Sequence, residues 1–218
     1  ALAICLAHKG YLWIDVETRG RAAHGSRLTE GIDANIRMGR FLAELDRLEQ
    51  ALRARPPHPL VGPPSLHAAT LAGGTGLSTY AESCKLVIER RTIPGETEAS
   101  VMAEVEGLLD GLRAKDPSFV GSARPMFVRG PFEVSPAASI VTSLAEAAAG
   151  VLGARPRMVG DTPWMDSALL AAAGVETVVF GPAGAGAHAA VEWVDLESVY
   201  QTAAILAATA RDYCGVSE

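Results

Sequence analysis

The stretch Gly181-Pro-Ala-Gly-Ala-Gly-Ala-His188-Ala-Ala-Val-Glu192 delivers an imidazole and a carboxylate from a loop of small residues. Glycines at this density mean a tight loop to which another group can approach closely. The loop follows an apolar run, Val175-Glu-Thr-Val-Val-Phe180, that reads as a short buried strand. In open α/β sheets ligands bind beyond the carboxyl ends of strands, which is where this reading puts His188. A second imidazole, His24, stands in Gly20-Arg-Ala-Ala-His-Gly25, and an arginine pair, Arg90-Arg91, closes another apolar run. Asp166 opens a short helical pattern. Imidazole, carboxylate and guanidinium can ligate metal, move protons or hold an anion. Each can equally be ordinary: His24 a solvated loop residue, Arg91 a solvated charge, Asp166 a helix N-cap, Glu192 a group that only orients its loop. His8, His58 and His67 have no motif around them and carry no assigned role.

The elements that must position these groups fill one large domain or two modest ones within 218 residues. A net charge of -6 without basic runs argues against nucleic acid or an anionic membrane surface as the main partner. No apolar stretch approaches the roughly 20 residues of a spanning helix. The opening Ala1–Ala7 lacks the basic flank of a secretory signal. Cys5, Cys84 and Cys214 are odd in number and far apart, which fits reduced thiols in the cytoplasm rather than a disulfide frame or cysteine zinc site.

From residue 11 to 18 apolar and polar residues alternate as in a half-buried strand. A helix follows from Asp33, its N-cap, with Met38, Phe41, Leu42, Leu45, Leu48 and Leu52 on one face. Strands are expected at 65–72 and 84–91, then a helix capped by Thr97 with Val101, Val105, Leu108, Leu109 and Leu112 inward, then a strand near 123–129. The order β-α-β-β-α-β is the split-βαβ, ferredoxin-like arrangement, an antiparallel sheet with both helices on one face. Beyond Gly130-Pro131 the pattern changes. Ser135 and Pro136 fit the cap and first residue of a helix reaching Gly153. After a break marked by Pro156 and Gly160, a short helix over 164–173 stops at Gly174. The 175–180 strand, the His188 loop and a helix over 195–213 complete the chain. One convincing strand cannot make a parallel sheet, so 133–218 reads as the tail of a larger α/β domain.

The motifs occur in a specific order. They are Gly-Arg-Ala-Ala-His24-Gly, Gly73-Gly74, Glu89-Arg-Arg91-Thr-Ile-Pro-Gly-Glu-Thr97, Asp166-Ser-Ala-Leu-Leu, Phe180-Gly-Pro182 and Ala187-His188-Ala-Ala-Val-Glu192. With these gaps the chain resembles the dinuclear-zinc amidohydrolases and exopeptidases, the family of acetylornithine deacetylase, succinyl-diaminopimelate desuccinylase, glutamate carboxypeptidase and aminoacylase. The resemblance implies a ferredoxin-like lid and dimerisation domain over 10–132, and a C-terminal segment of the zinc-peptidase-like catalytic domain over 133–218. The family's His-x-Asp, Glu-Glu pair and remaining metal-ligating Asp precede the lid and have no match here. The chain therefore resembles the C-terminal half of such an enzyme, inactive by itself, with its first nine residues either the end of the preceding half or a linker.

In such enzymes metal-bound water, its pKa lowered to ~7, attacks the amide carbonyl. The resemblance implies that His188 is a terminal zinc ligand. It implies that His24 stabilises the oxyanion in the partner subunit's active site, that Arg91 and Ser78 bind substrate, and that Asp166 and Glu192 stand behind the ligands. It implies two zinc ions per intact site, a small N-acyl amino acid or peptide as substrate, and a homodimer joined through the lid. Four positions depart from the family: Ser78 replaces the usual Asn, Trp164-Met165 precede Asp166, Val191 precedes Glu192 where Asp or Asn is usual, and Ala183 replaces Gly. A carbamoyl-amino-acid hydrolase, a dimerisation or binding module without chemistry, and an unrelated two-domain α+β protein are the alternatives. The uncharged strand at 65–72 and the helix at 33–52 are the expected dimer surface, since the strand near 123–129 carries Arg124 and Arg129.

Overall fold

The computed structural model describes residues 2–215. In chain order its elements are β1 (Ile4–His8), β2 (Gly10–Arg19), α1 (Ala34–Arg53), β3 (Ser65–Gly73), β4 (Ser83–Thr92), α2 (Glu98–Lys115) and β5 (Val120–Arg129). They continue with β6 (Phe132–Glu133), α3 (Ser139–Leu152), β7 (Met158–Asp161), α4 (Ser167–Ala172), β8 (Gly184–Ala185), β9 (Trp193–Val194) and α5 (Leu196–Cys214). The chain divides into two compact units, Lys9–Pro131 and the described residues of Ala1–His8 with Phe132–Glu218.

In the first unit β3-β4-β2-β5 form an antiparallel sheet. Strand alternation turns Leu12, Ile14 and Val16 of β2 and Leu86 and Ile88 of β4 inward. They pack against Met38, Phe41, Leu45 and Leu52 of α1 and Val101, Val105, Leu109 and Leu112 of α2. Both helices start where their caps put them. The Asp33 carboxylate accepts the Asn35 and Ile36 N–H groups, and Thr97 forms a reciprocal capping box with Ser100. The split-βαβ arrangement is thus observed, with β3 and β5 as its edges.

The edges differ. On β5 the register shifts opposite Trp13 and Ile14, where Pro125 removes a backbone donor, and Arg124 pairs with Asp15 across the sheet at 2.7 Å. On β3 only Leu66 is buried; Leu71, opposite Leu86 on the core-facing side, remains 54% exposed. The groove between α1 and β3, lined by Leu42, Leu45, Leu66 and Ala68, is therefore open.

The second unit corrects several expectations. Its sheet is β6-β1-β7, with β1 central, parallel to β7 and antiparallel to β6. All five residues of β1 are buried, so the start of the chain is a core strand and not a linker. Residues 158–161, expected to be a break because of Gly160, are its parallel partner. The run 175–180, expected as a buried strand, is not one. Only Val179 meets the sheet, exchanging backbone bonds with Cys5, while Val175 is half-exposed. An apolar run becomes a strand only where a neighbouring backbone offers it a ladder, and here a single residue does.

The helix expected from Ser135 starts instead at Ser139, behind Ala138, which has no side-chain cap. Ser135 and Pro136 form a turn in which Ala138 N–H reaches the Ser135 carbonyl. The missing cap comes from outside the helix: the Glu176 carboxylate accepts from the backbone N–H groups of Ser139 and Ile140, and also from the Ser139 hydroxyl at 2.6 Å and the Tyr213 hydroxyl at 2.5 Å. Gly153 and Gly174 end their helices with positive φ as their sequence positions predict. α5 packs against α3 through Ser198, Thr202, Ile205 and Thr209.

Candidate active site

His24 lies in the loop after β2, and a second loop fixes its backbone. The Gly25 N–H donates to the Ser78 carbonyl at 2.7 Å, the Tyr80 N–H donates to the Ala23 carbonyl at 2.9 Å, and His24 bridges Thr79. The structure thereby brings together His24 and the Ser78 turn, 54 residues apart in sequence. The ring itself is exposed, with Nδ1 2.9 Å from Ser26 Oγ and 3.3 Å from the Ser26 backbone nitrogen. A backbone N–H can only donate, so Nδ1 carries a lone pair and the proton of the neutral ring sits on Nε2. His24 is thus held as an Nε2–H donor.

Alternation along β4 separates the two arginines. Arg90 points into the core and is 1% exposed. Its guanidinium meets Glu96 at 2.5 Å and Glu104 at 3.3 Å, with Arg55 bracing the same carboxylates. Arg91 points to the opposite face, stacked over Tyr11 with its Nε on Glu89 at 2.6 Å. Burial pushes the Glu89 carboxyl up, but hydrogen bonds from Trp13 and Arg91 and the charges of Arg91 and His67 outweigh it and hold it below the usual range.

In the second unit His188 is exposed at the tip of the β8–β9 hairpin, with φ +62°, the left-handed region that a residue bearing a Cβ adopts only at a cost. The Ala189 N–H closes the turn on the Gly186 carbonyl at 2.8 Å. Gly186 needs its own φ of +82° there, and a Cβ on it would collide with the Val191 carbonyl. Glu192 is exposed next to β9. Asp166 occupies the N-cap position of α4 but its side chain caps nothing.

Among the described residues no group of three or more His, Cys, Asp or Glu side chains could hold a metal ion. Zinc takes three or four protein ligands, so the described residues of this chain do not by themselves fit a zinc site. Nor is any helix among them long and apolar enough to cross a membrane.

His8, assigned no role from sequence, is fully buried at the carboxyl end of β1. Its Nε2 lies 2.8 Å from Ser167 Oγ, and its ring stacks on Phe132 at 5.3 Å and meets the edge of Trp164 at 6.3 Å. It ties the strand end to the first turn of α4, directly beside Asp166. The one local signal was a polar residue closing the continuous apolar run Ile4–Ala7, a pattern that fits a strand end and a linker alike.

Comparison with known proteins agrees with this fold. The family model of the M20 peptidase dimerisation domain matches residues 6–117. Acetylornithine deacetylase of Myxococcus xanthus is 29% identical over 215 residues, covering 96% of this chain and 54% of that protein. Acetylornithine deacetylase of Buchnera aphidicola is 23% identical and is covered to 55%. The chain spans about half the length of these curated relatives. Among solved structures, the aminopeptidase PepT of Bacillus cereus superposes with a TM-score of 0.74 at 18% identity, over 95% of this chain and 53% of that one, a likeness of fold. On the match to its dimerisation domain, the chain belongs to the M20 peptidase family.

Proposed function

We propose that this chain supplies the lid and the C-terminal catalytic segment of a zinc-dependent amidohydrolase that cleaves the amide bond of a small N-acyl amino acid or peptide. The observation that carries the reading is the His24 site: a ring held by Ser26 as an Nε2–H donor, on a loop pinned to the Ser78 turn. Attack on an amide leaves negative charge on the former carbonyl oxygen. A preorganised N–H donor is what stabilises that charge. Ser78, in the paired turn, and Arg91, whose planar fork suits a carboxylate, hold the substrate. His188 is one zinc ligand of a site completed by residues outside this chain, with Asp166 and Glu192 behind the ligands.

His24 acts in the active site of a second subunit, which requires a homodimer. The open edge of β3 and the uncovered groove beside α1 provide a self-complementary surface for it.

Two measurements test the assignment. Metal analysis of this chain after gel filtration in excess zinc should find no stable two-metal stoichiometry and no acylase activity. In an intact enzyme containing the segment, His24→Ala should leave zinc bound and lower kcat by ~10²–10³-fold. His188→Ala should lower zinc occupancy instead. Exchange of the two phenotypes contradicts these roles, and an intact dimer with neither zinc nor hydrolysis would make the domain a binding module.

A further inference from the structure

The loop that carries His24 has no core of its own. Among residues 21–32 none is buried, and only Ala23, Gly31 and Ile32 are partly covered. Its ends are closed by two backbone hydrogen bonds between Arg21 and Ile32, at 2.8 and 2.9 Å. Such a closure fixes where a loop starts and stops, but a tip with few buried contacts still opens locally unless something else holds its limbs.

One residue touches both limbs. The Tyr80 N–H donates to the Ala23 carbonyl at 2.9 Å, on the limb that leads to His24. The Tyr80 ring lies against Gly31, on the limb that returns. A Cβ on Gly31 would stand 2.4, 2.3 and 2.8 Å from three consecutive ring atoms, Cγ, Cδ2 and Cε2. The ring therefore presents its face and fills the space of the missing side chain. Gly31 does not have a positive φ, so its lack of a Cβ serves this contact and not a turn.

Two further backbone bonds connect that contact to the imidazole. The Gly31 N–H donates to the Arg27 carbonyl at 3.0 Å, and the Arg27 N–H donates to the His24 carbonyl at 2.7 Å. A shift of Gly31 is thus passed to His24. Tyr80 itself is mounted on the core. Its neighbour Ala81 is buried, and the Ala81 carbonyl accepts the Ala34 N–H at 2.9 Å where α1 begins.

We infer that Tyr80 is a positioning residue for His24: its backbone and its ring clamp the two limbs of the loop and fix where the Nε2–H is presented. The inference rests on the reading that His24 stabilises the oxyanion.

The test uses Tyr80→Ala, Tyr80→Phe and Gly31→Ala, followed by amide hydrogen exchange in this chain and by kcat in an intact enzyme containing the segment. The Gly25 N–H, bonded to the Ser78 carbonyl, should lose its protection in Tyr80→Ala and in Gly31→Ala, and keep it in Tyr80→Phe. Amides of β4, inside the sheet, should stay protected in all three. Gly31→Ala should add no further loss in the Tyr80→Ala background, where its Cβ has room. In the intact enzyme Tyr80→Ala should leave zinc bound and lower kcat by about 10²-fold, the scale of a misplaced catalytic group. It should lower kcat no further once His24→Ala is present, because it acts through that ring. Four results overturn the role of Tyr80 and leave that of His24 intact. They are unchanged Gly25 protection in Tyr80→Ala, equal loss in Tyr80→Phe, loss of β4 protection together with that of Gly25, and a double variant slower than His24→Ala alone. A His24→Ala enzyme with wild-type kcat removes the His24 reading and this inference with it.

Discussion

Adjacent side chains on one strand can have opposite fates, and Arg90 and Arg91 show it. Arg90 is enclosed with Glu96 and Glu104, so its charge is compensated only while those carboxylates are in place. Arg91 is a third exposed and keeps water as an alternative partner. Removing one member of a buried ion network strands the others, at a cost of about 3 kcal/mol; losing a surface pair costs below about 1 kcal/mol. Arg90→Ala should therefore lower the urea midpoint far more than Arg91→Ala, although both delete the same group. Equal losses would mean that Glu96 and Glu104 are solvated without Arg90.

At this scale the sequence was informative about residue types and blind to their partners. The motif around His24 was legible, whereas the pairing of its loop with the Ser78 turn is a tertiary contact. His8 was legible only as a polar residue closing an apolar run; its bond to the distant Ser167 leaves no local pattern.

Among the elements, those with their own caps and periodicity were readable. α1 and α2 begin at the residues whose side chains cap them, and the core positions of α1 follow the helical spacing. Elements defined by a neighbour were not readable. β1 and β7 are short strands that exist because they pair with each other, and 175–180 stayed irregular because little pairs with it.

α3 is the intermediate case. Its sequence offers a cap at Ser135, but the tertiary structure supplies Glu176 instead. Hydrogen bonds from Ser139 and Tyr213 hold the Glu176 carboxyl below its ordinary value, since they favour the charged form. A depressed carboxylate stabilises the fold above its unfolded pKa, about 4.3, and that contribution is lost as pH falls through the lower folded value. Glu176→Gln should therefore flatten the acid limb of stability below about pH 4.3 while changing little of its shape near neutrality. Urea midpoints measured across pH 3–7 check this, and an unchanged acid limb in the variant would remove Glu176 from the clasp.

For the molecule as a whole, the two-unit organisation follows from the chain leaving the sheet of the second unit after His8 and rejoining it at Phe132. The change of pattern at Gly130-Pro131 announced the return. The departure was hidden, because five apolar-rich residues before a lone Gly10 read as readily as a linker as they do as a strand. The match to a dimerisation domain suggests a homodimer, and two features of the single chain fit one: β3 is a sheet edge with unpaired backbone groups, and Leu71 is exposed on its core-facing side. Natural edges avoid this with charge, proline or bulges, and β5 has Pro125 and a register shift. β3 also has a register shift, between Ala68 and Thr70, yet carries no Asp, Glu, Lys or Arg. A two-fold partner lying along β3 and α1 would satisfy the edge and close the groove together. The most direct measurement is the mass of the chain by light scattering at micromolar concentration, for wild type and for Ala69→Lys/Leu71→Lys. The expected result is a dimer that the two lysines convert to folded monomer. A wild-type monomer, or a dimer indifferent to both lysines, would contradict it.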